Sequence, residues 1–384
     1  MNVLYISHTA ELNGAPKSLL EFVVRIREKQ IHPIILVPDR GMLKAELDKE
    51  GIDVRIVSYQ GSVYSGRFSI ANYTRYLKEN FQAIKKIIEI IRKEKIDIVH
   101  SNSLAVNAGA IAAHLACIPH VWHFREYLKD DFGFKRFDPV LDQYLIRKSD
   151  CCIAISKDIK RVYKKKYGVD AVLMYNGMNS QLYYEPIDQK TDRTGKTNII
   201  IAGSILQGKG QWDAIRAVEI LKKEGQEVCL NIVGDGLPAF VNELKRYVKK
   251  HQMEKNILFY RYTKELQAMR SNSSMVLVCS KREAFGRVTA EAMMSGKIVI
   301  GSNRGGTREL IGANEERGYL YTWNNPKELA QKIQFAISNP SETIKREKRA
   351  QEFVLRLTDL ENYTDKLERI YQKILESDVR KSGK

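Results

Sequence analysis

Glu283 and Glu291, with seven residues between them, carry the strongest chemical signal in the chain. They bracket Ala284-Phe285-Gly286-Arg287-Val288-Thr289-Ala290, directly after an apolar run that ends near Cys279. A helix beginning around Gly286 puts Glu283 on the preceding loop and Glu291 one to two turns inside the helix. Carboxylates so placed suit hydrogen bonds from sugar hydroxyls, while amides at the helix start face an anion. A plainer reading is available. Arg287 and Glu291 are spaced i, i+4, which by itself supplies a surface ion pair worth roughly 0.3 kcal/mol.

A second loop suits phosphate. Gly203-Ser204-Ile205-Leu206-Gln207-Gly208-Lys209-Gly210 follows an apolar run and opens an amphipathic stretch. Its glycines let backbone amides approach an anion, a helix start adds positive potential, and Lys209 supplies a full charge. It departs from the nucleotide-triphosphatase P-loop at the last position, where Gly210 stands in place of the Ser or Thr that holds magnesium. An ordinary strand-to-helix turn with an exposed lysine is the competing reading. Gly234-Asp235-Gly236 ends the next apolar run and alone reads as a turn.

Other candidates are weaker. His123, in Trp122-His123-Phe124-Arg125-Glu126, follows an apolar run, where a lone histidine is more often a satisfied core residue; His100 has a similar position. Arg125 and Glu126 suit either a local ion pair or a functional role. Tyr260 and Arg261 follow a further run. Residues 157–166 hold six basic side chains (Lys157, Lys160, Arg161, Lys164, Lys165 and Lys166), a pattern usual for a solvated helix face.

These residues need a scaffold, and the apolar pattern supplies one. Short runs at Val3–Ser7, Ile34–Val37, Val54–Val57, Ile96–His100, His120–His123 and Cys151–Ile155 read as buried parallel strands separated by helices. A second series begins at Asn198–Ala202 and continues through Val228–Val233, Asn256–Phe259, Met275–Cys279 and Ile298–Gly301. Alternation of this kind predicts an α/β fold with a covered parallel sheet, here twice over. The polar segment 188–196 is the expected linker between domains at 1–187 and 197–358. Residues 359–384 form a terminal helix, expected to pack back toward the first domain and end near Ser377, followed by a basic tail.

The chain has 384 residues, is 43% hydrophobic and 28% charged, and so falls outside disordered and collagen-like compositions. Five cysteines without a C-x-x-C are expected to be buried, reduced thiols of a cytoplasmic protein. A net charge of +17 favours polyanionic partners, yet no basic-aromatic signature of RNA binding appears. No Asp-x-Asp occurs to hold a metal against a diphosphate, and no His/Cys cluster has zinc spacing.

In order, Gly203…Lys209-Gly210, Val233-Gly-Asp-Gly236, Ser280-Lys-Arg-Glu283-Ala-Phe-Gly286, Glu291-Ala-Met and Gly305-Gly-Thr-Arg-Glu309 resemble the donor-binding domain of the retaining GT-B glycosyltransferases of group 1. Asn13-Gly14-Ala15, Val99-His100, Ser156 and Asn176-Gly177 extend the resemblance through the first half. It implies a GT-B fold, two doubly wound Rossmann-like domains facing across a deep cleft, with the acceptor on the first domain and a nucleoside diphosphate sugar on the second. It implies that Lys209 binds the diphosphate, Glu291 the ribose and Glu283 the transferred sugar, and that His123 lines the cleft. The donor site it implies also takes in Gly14, Ser204, Gly234, Arg261, Ala284, Phe285, Gly286, Arg287 and Val288. The family's usual Arg after the first loop glycine is Ser204 here, so Arg125, Arg261 or Arg287 must meet that charge.

The expected activity is metal-independent, cofactor-free transfer of a sugar, from a UDP-sugar before a GDP-sugar, to a hydroxyl of a glycan, lipid-linked or glycoprotein acceptor. The setting implied is synthesis of bacterial-type surface polysaccharide or glycolipid. The expected location is cytoplasmic, peripheral on the inner face of the membrane through the anionic lipid surface, with no nucleic-acid partner. A P-loop-like ATPase or kinase and a non-catalytic nucleotide-sugar-binding protein are the alternatives. Folding is expected to survive loss of either Lys209 or Glu291.

Overall fold

The computed structural model describes residues 1–128, 133–187, 197–263 and 265–382, with side chains through Asp378. Two compact units emerge, Met1–Asn179 with Thr358–Lys384, and Ser180–Leu357. The division falls at Asn179/Ser180 and not at the expected linker, which lies outside the described residues. The reason is local packing. Gln267 donates through Nε2 to the Tyr183 carbonyl and to Glu185, and Gln351 donates to the Glu185 carbonyl, tying this segment to the second unit.

The first unit is a seven-stranded sheet in the order β3-β2-β1-β5-β6-β8-β9, parallel throughout. Its strands are β1 (Asn2–Ile6), β2 (His32–Val37), β3 (Asp53–Ile56), β5 (Ile98–Ser101), β6 (His120–Phe124), β8 (Cys151–Ala154) and β9 (Val172–Leu173). A separate antiparallel pair joins β4 (Val63–Tyr64) to β7 (Lys135–Arg136). Alternation along the strands divides the core in two. Val3, Tyr5, Ile35, Val37, Ile98, Val121 and Ile153 face the helices Gly14–Ile26, Met42–Lys49 and Leu360–Ser382. Leu4, Ile6, Ile34, Leu36 and Val99 face the helices Ile70–Lys93 and Ala108–Ala116. The last helix reaches Ser382, beyond the end expected near Ser377; residues 383–384 lie outside the described residues.

The second unit is a six-stranded parallel sheet in the order β12-β11-β10-β13-β14-β15. Its strands are β10 (Thr197–Ala202), β11 (Val228–Val233), β12 (Ile257–Tyr260), β13 (Met275–Val278), β14 (Ile298–Ser302) and β15 (Tyr319–Tyr321). Ile199, Ile201, Leu230, Ile232, Leu277 and Ile300 bury one face against the helices Gln211–Lys223, Pro238–Lys250 and Pro326–Ser338. The eleven apolar runs each became a strand, displaced by two residues or fewer. The sequence reading missed β4, β7, β9 and β15, whose two or three residues are too few to show a period. The thiols are buried at Cys152, Cys229 and Cys279, but Cys117 is exposed, against expectation. It stands at the C-terminal cap of the helix Ala108–Ala116, in a left-handed backbone conformation.

Candidate active site

In an open parallel sheet, ligands gather outside the carboxyl ends of the strands where the strand order reverses. In the second unit that reversal lies between β10 and β13. The loop after β10 carries Ser204 and Lys209, and the loop after β13 carries Glu283. Lys209 Nζ donates to Glu283 Oε1 at 2.7 Å, and the Lys281 amide donates to the Gly208 carbonyl at 2.7 Å, so the two loops are joined across the switch point. Both side chains are partly exposed, 36% for Lys209 and 20% for Glu283. Burial pushes the Glu283 carboxyl up, but the Lys209 charge and hydrogen bonds from Lys209 and Ser280 outweigh it, holding the group below its ordinary range. It is therefore a carboxylate, able to accept further donors.

Glycines shape both loops by close approach. Gly210 has φ +72°, and a Cβ there would lie 2.1 Å from the Cys279 carbonyl oxygen. No Ser or Thr fits at that position, so the magnesium ligand of a P-loop is sterically excluded. Gly234 is packed under the Gly203 carbonyl, where a Cβ would come within 2.0 Å. Its requirement is this backbone contact, continued by the Ile205 amide donating to the Asp235 carbonyl. Gly305 and Gly306 back the Glu283 loop in the same way, and the Gly306 amide donates to the Glu283 carbonyl at 2.7 Å.

The helix Arg287–Met294 starts on Gly286, whose φ of 89° suits only glycine without strain. Ala284 and Phe285 lead into it, and the Arg287, Val288 and Thr289 amides form its first turn, which lacks intrahelical acceptors. Glu291 is reached one turn in and is 6% exposed. Its Oε2 accepts from Arg270 at 2.9 Å and its Oε1 faces Arg287 at 3.5 Å. Arg287 also donates to the Tyr183 hydroxyl at 3.2 Å. The i, i+4 pair anticipated from spacing exists, but it is buried and second to Arg270, a residue the sequence reading missed. Arg261 is far more exposed, at 92%, and donates to Asp235 at 3.1 Å.

The first unit reverses between β1 and β5. Asn13 caps the helix Gly14–Ile26 there, and Gly14 is its first residue. Asn102, after β5, donates to the Ala15 carbonyl at 3.1 Å and accepts from Arg125 Nε at 2.7 Å. Arg125 NH1 donates to Asn176 Oδ1 at 2.7 Å, and its NH2 lies 3.3 Å from His123 Nδ1. Glu126 accepts from the Ser103 hydroxyl and the Leu104 amide. His123 is not exposed as expected; it is fully buried, as is His100, because the register of β5 and β6 turns both toward the last helix. Nor is it a satisfied core residue, for its Nε2 has no hydrogen-bond partner among the described residues. Asn102, Asn176 and Tyr371 were missed as partners, since no local pattern marks them.

Burial, followed by the Arg125 charge, holds His100 and His123 well below their ordinary pKa, and burial alone pushes His120 down to about 3. Burial, with the Arg125 charge behind it, likewise pushes His8 down to about 4, so the native state keeps four imidazoles neutral that bind protons on unfolding below pH 6.5. Their stabilisation is complete above that pH and is lost as pH falls toward the folded values. Between pH 7.5 and 5.5 each should cost about 1.3 kcal/mol, roughly 5 kcal/mol together. Urea titrations of the chain at the two values check this. A first-unit transition that does not move would show these imidazoles already charged in the fold.

The architecture is GT-B. The crystal structure of Anabaena HepE in complex with UDP superposes with TM-score 0.80 at 21% identity, covering 97% of this chain and 100% of HepE. The Glycosyl transferases group 1 model matches residues 184–353 and the Glycosyltransferase Family 4 model residues 12–182. The chain belongs to the group 1 glycosyltransferases. It is 24% identical to N-acetyl-alpha-D-glucosaminyl L-malate synthase of Bacillus anthracis, over 87% of this chain and 90% of that one. It is also 24% identical to the capsular polysaccharide biosynthesis glycosyltransferase CapM of Staphylococcus aureus, over 82% and 89%.

Proposed function

We propose that the chain is a retaining, metal-independent glycosyltransferase that moves a sugar from a UDP-sugar to a hydroxyl of a glycan, lipid-linked or glycoprotein acceptor in surface polysaccharide or glycolipid synthesis. The observation that carries this reading is the Lys209–Glu283 contact across the switch point between β10 and β13. HepE, which shares the fold, has been crystallised with UDP and with UDP-glucose, and CapM is a capsular polysaccharide enzyme. Breaking the anomeric C–O bond leaves negative charge on the departing diphosphate and positive charge on the sugar. Lys209 and the first-turn amides of Arg287–Met294 meet the negative charge where it develops. Glu283, kept ionised, accepts from the sugar hydroxyls and orients the ring. Glu291 is assigned to the ribose. The acceptor oxygen bonds to the anomeric carbon on the face the diphosphate leaves, and its proton passes to the departing phosphate.

A thermal-shift panel in excess EDTA tests the donor. UDP and UDP-sugars should raise Tm and GDP should not, with about 2.7 kcal/mol gained at 100 times Kd. Slow hydrolysis of the donor should persist without metal. Magnesium-dependent ATP turnover with no response to any nucleotide sugar would overturn the proposal.

The same proposal sets the enzyme in the cytoplasm, peripheral on anionic lipid. The basic run forms the helix Lys157–Tyr167, whose Ile159, Tyr163 and Tyr167 are buried, leaving the charged side outward. Asp170 lies 3.4 Å from Lys160 and 3.5 Å from Lys164, and Asp158 pairs with Arg161, which lowers the charge available. At about 1 kcal/mol per basic residue, binding should be weak and salt-reversible. Cosedimentation with anionic vesicles at low salt is expected; indifference to them would leave the helix a solvated face.

A further inference from the structure

Phe68, Ile70, Leu77 and Phe81 are large apolar side chains left exposed in the first unit, Ile70 by 73% and Phe81 by 61%. Three of them lie on the helix Ile70–Lys93. Their spacing, i, i+7 and i+11, puts them within about 20° of one line along its axis. The same helix buries another face, through Tyr76, Asn80, Ala83, Ile87 and Ile91. That face is centred about 100° away round the axis, so the exposed stripe is a second apolar face, open to solvent. Phe68, just before the helix, is held in place by aromatic neighbours. Its ring centre lies 5.7 Å from that of Tyr64, 5.8 Å from Tyr73 and 6.4 Å from Phe137.

Charge is distributed around the stripe with one sign. Residues 67–86 hold five exposed cations, Arg67, Arg75, Lys78, Lys85 and Lys86, against one acidic residue, Glu79. Glu79 accepts from Gln60 Nε2 at 2.7 Å. The four cations on the helix lie about 60–160° round from the stripe, on the side away from the core. Lys85 Nζ is 4.4 Å from the Phe81 ring centre, where the two faces adjoin. Lys160, Arg161 and Lys164 of the helix Lys157–Tyr167 face Asp158 or Asp170, but none of these five has such a pair among the described residues.

Round the axis the order is core, apolar stripe, cations. It matches the boundary of an anionic bilayer, with acyl chains for the stripe and phosphate headgroups for the cations. A second copy of the chain fits poorly, because a two-fold contact sets the five cations against themselves. We infer that Phe68, Ile70, Leu77 and Phe81 form a lipid-inserting surface that seats the first unit on an anionic membrane, with Arg75, Lys78 and Lys85 among the headgroups. This rests on the membrane placement proposed above, and moves the principal contact from the helix Lys157–Tyr167 to the helix Ile70–Lys93. No helix among the described residues is long and apolar enough to cross the bilayer, so the stripe lies in its surface.

Vesicles of phosphatidylcholine with phosphatidylglycerol, against phosphatidylcholine alone, test this on the full chain. Phe81→Trp should gain blue-shifted emission on the anionic vesicles, beyond that of the three native tryptophans, and brominated acyl chains should quench it. Neutral vesicles should do neither. Ile70→Ser with Phe81→Ser should weaken binding to anionic vesicles about tenfold or more, with Tm and UDP affinity unchanged. Reversing the charges of Lys160, Arg161 and Lys164 should leave the quenching in place. If the wild type cosediments but Phe81→Trp is not quenched, the inference is overturned and the membrane reading survives on the helix Lys157–Tyr167. A serine double variant that binds as tightly as the wild type overturns it in the same way. Equal binding to neutral vesicles overturns the anionic surface, and a wild-type dimer that the serine variant loses assigns the stripe to self-association instead. Indifference of the wild type to anionic vesicles overturns this inference and the membrane reading together.

Discussion

Glu291→Ala should destabilise the second unit by about 3–5 kcal/mol, because it strands a buried guanidinium. Arg270 is 2% exposed, donates to Glu291 at 2.9 Å, and would keep Gln267, at 2.6 Å, as its described partner. The sequence led to the opposite expectation, that folding survives this change. Spacing displayed Arg287 as the partner and hid Arg270, whose contact spans 21 residues. A loss of nucleotide affinity in Glu291→Ala would therefore be confounded by unfolding. The pair Arg270→Met with Glu291→Leu removes both charges together and should recover much of the stability while remaining poor in UDP binding. Denaturation of the single and double variants decides the matter. If Glu291→Ala unfolds at the wild-type midpoint, the buried pair contributes nothing and the carboxylate is dispensable to the fold.

Lys209→Ala should leave the fold intact and cut turnover on the order of 100-fold, about 3 kcal/mol of barrier. Its pair with Glu283 is partly solvated, so the stability cost should stay near 1 kcal/mol or less. The rate loss arises because the departing diphosphate then loses the Lys209 charge set against it as the bond breaks. Losing the cation also removes what holds Glu283 below its ordinary pKa, so the variant's activity should rise later with pH than that of the wild type. Steady-state rates across pH 4–7, with Tm as the control, test both parts. Wild-type turnover in purified Lys209→Ala would show that the loop after β10 does not handle the leaving group.

What the sequence determined by itself is the local half of the molecule. Buried parallel strands are apolar on both faces, so Val228–Val233 or Ile298–Gly301 stand out without reference to any neighbour. Strand-end loops stand out equally, because glycine is required wherever backbone meets backbone, as at Gly210 against Cys279. Lys209, Glu283 and Glu291 were legible for that reason. Tertiary structure alone decided which of them meet. Lys209 reaches Glu283 across 74 residues only because β10 and β13 are neighbours, and nothing in either loop encodes that adjacency. Burial was likewise undetermined: the same His123 reads as an exposed ligand or a core residue until a helix from the far end of the chain covers its face. Strand order and helix docking are set by the total area buried between distant segments, a quantity no local window contains.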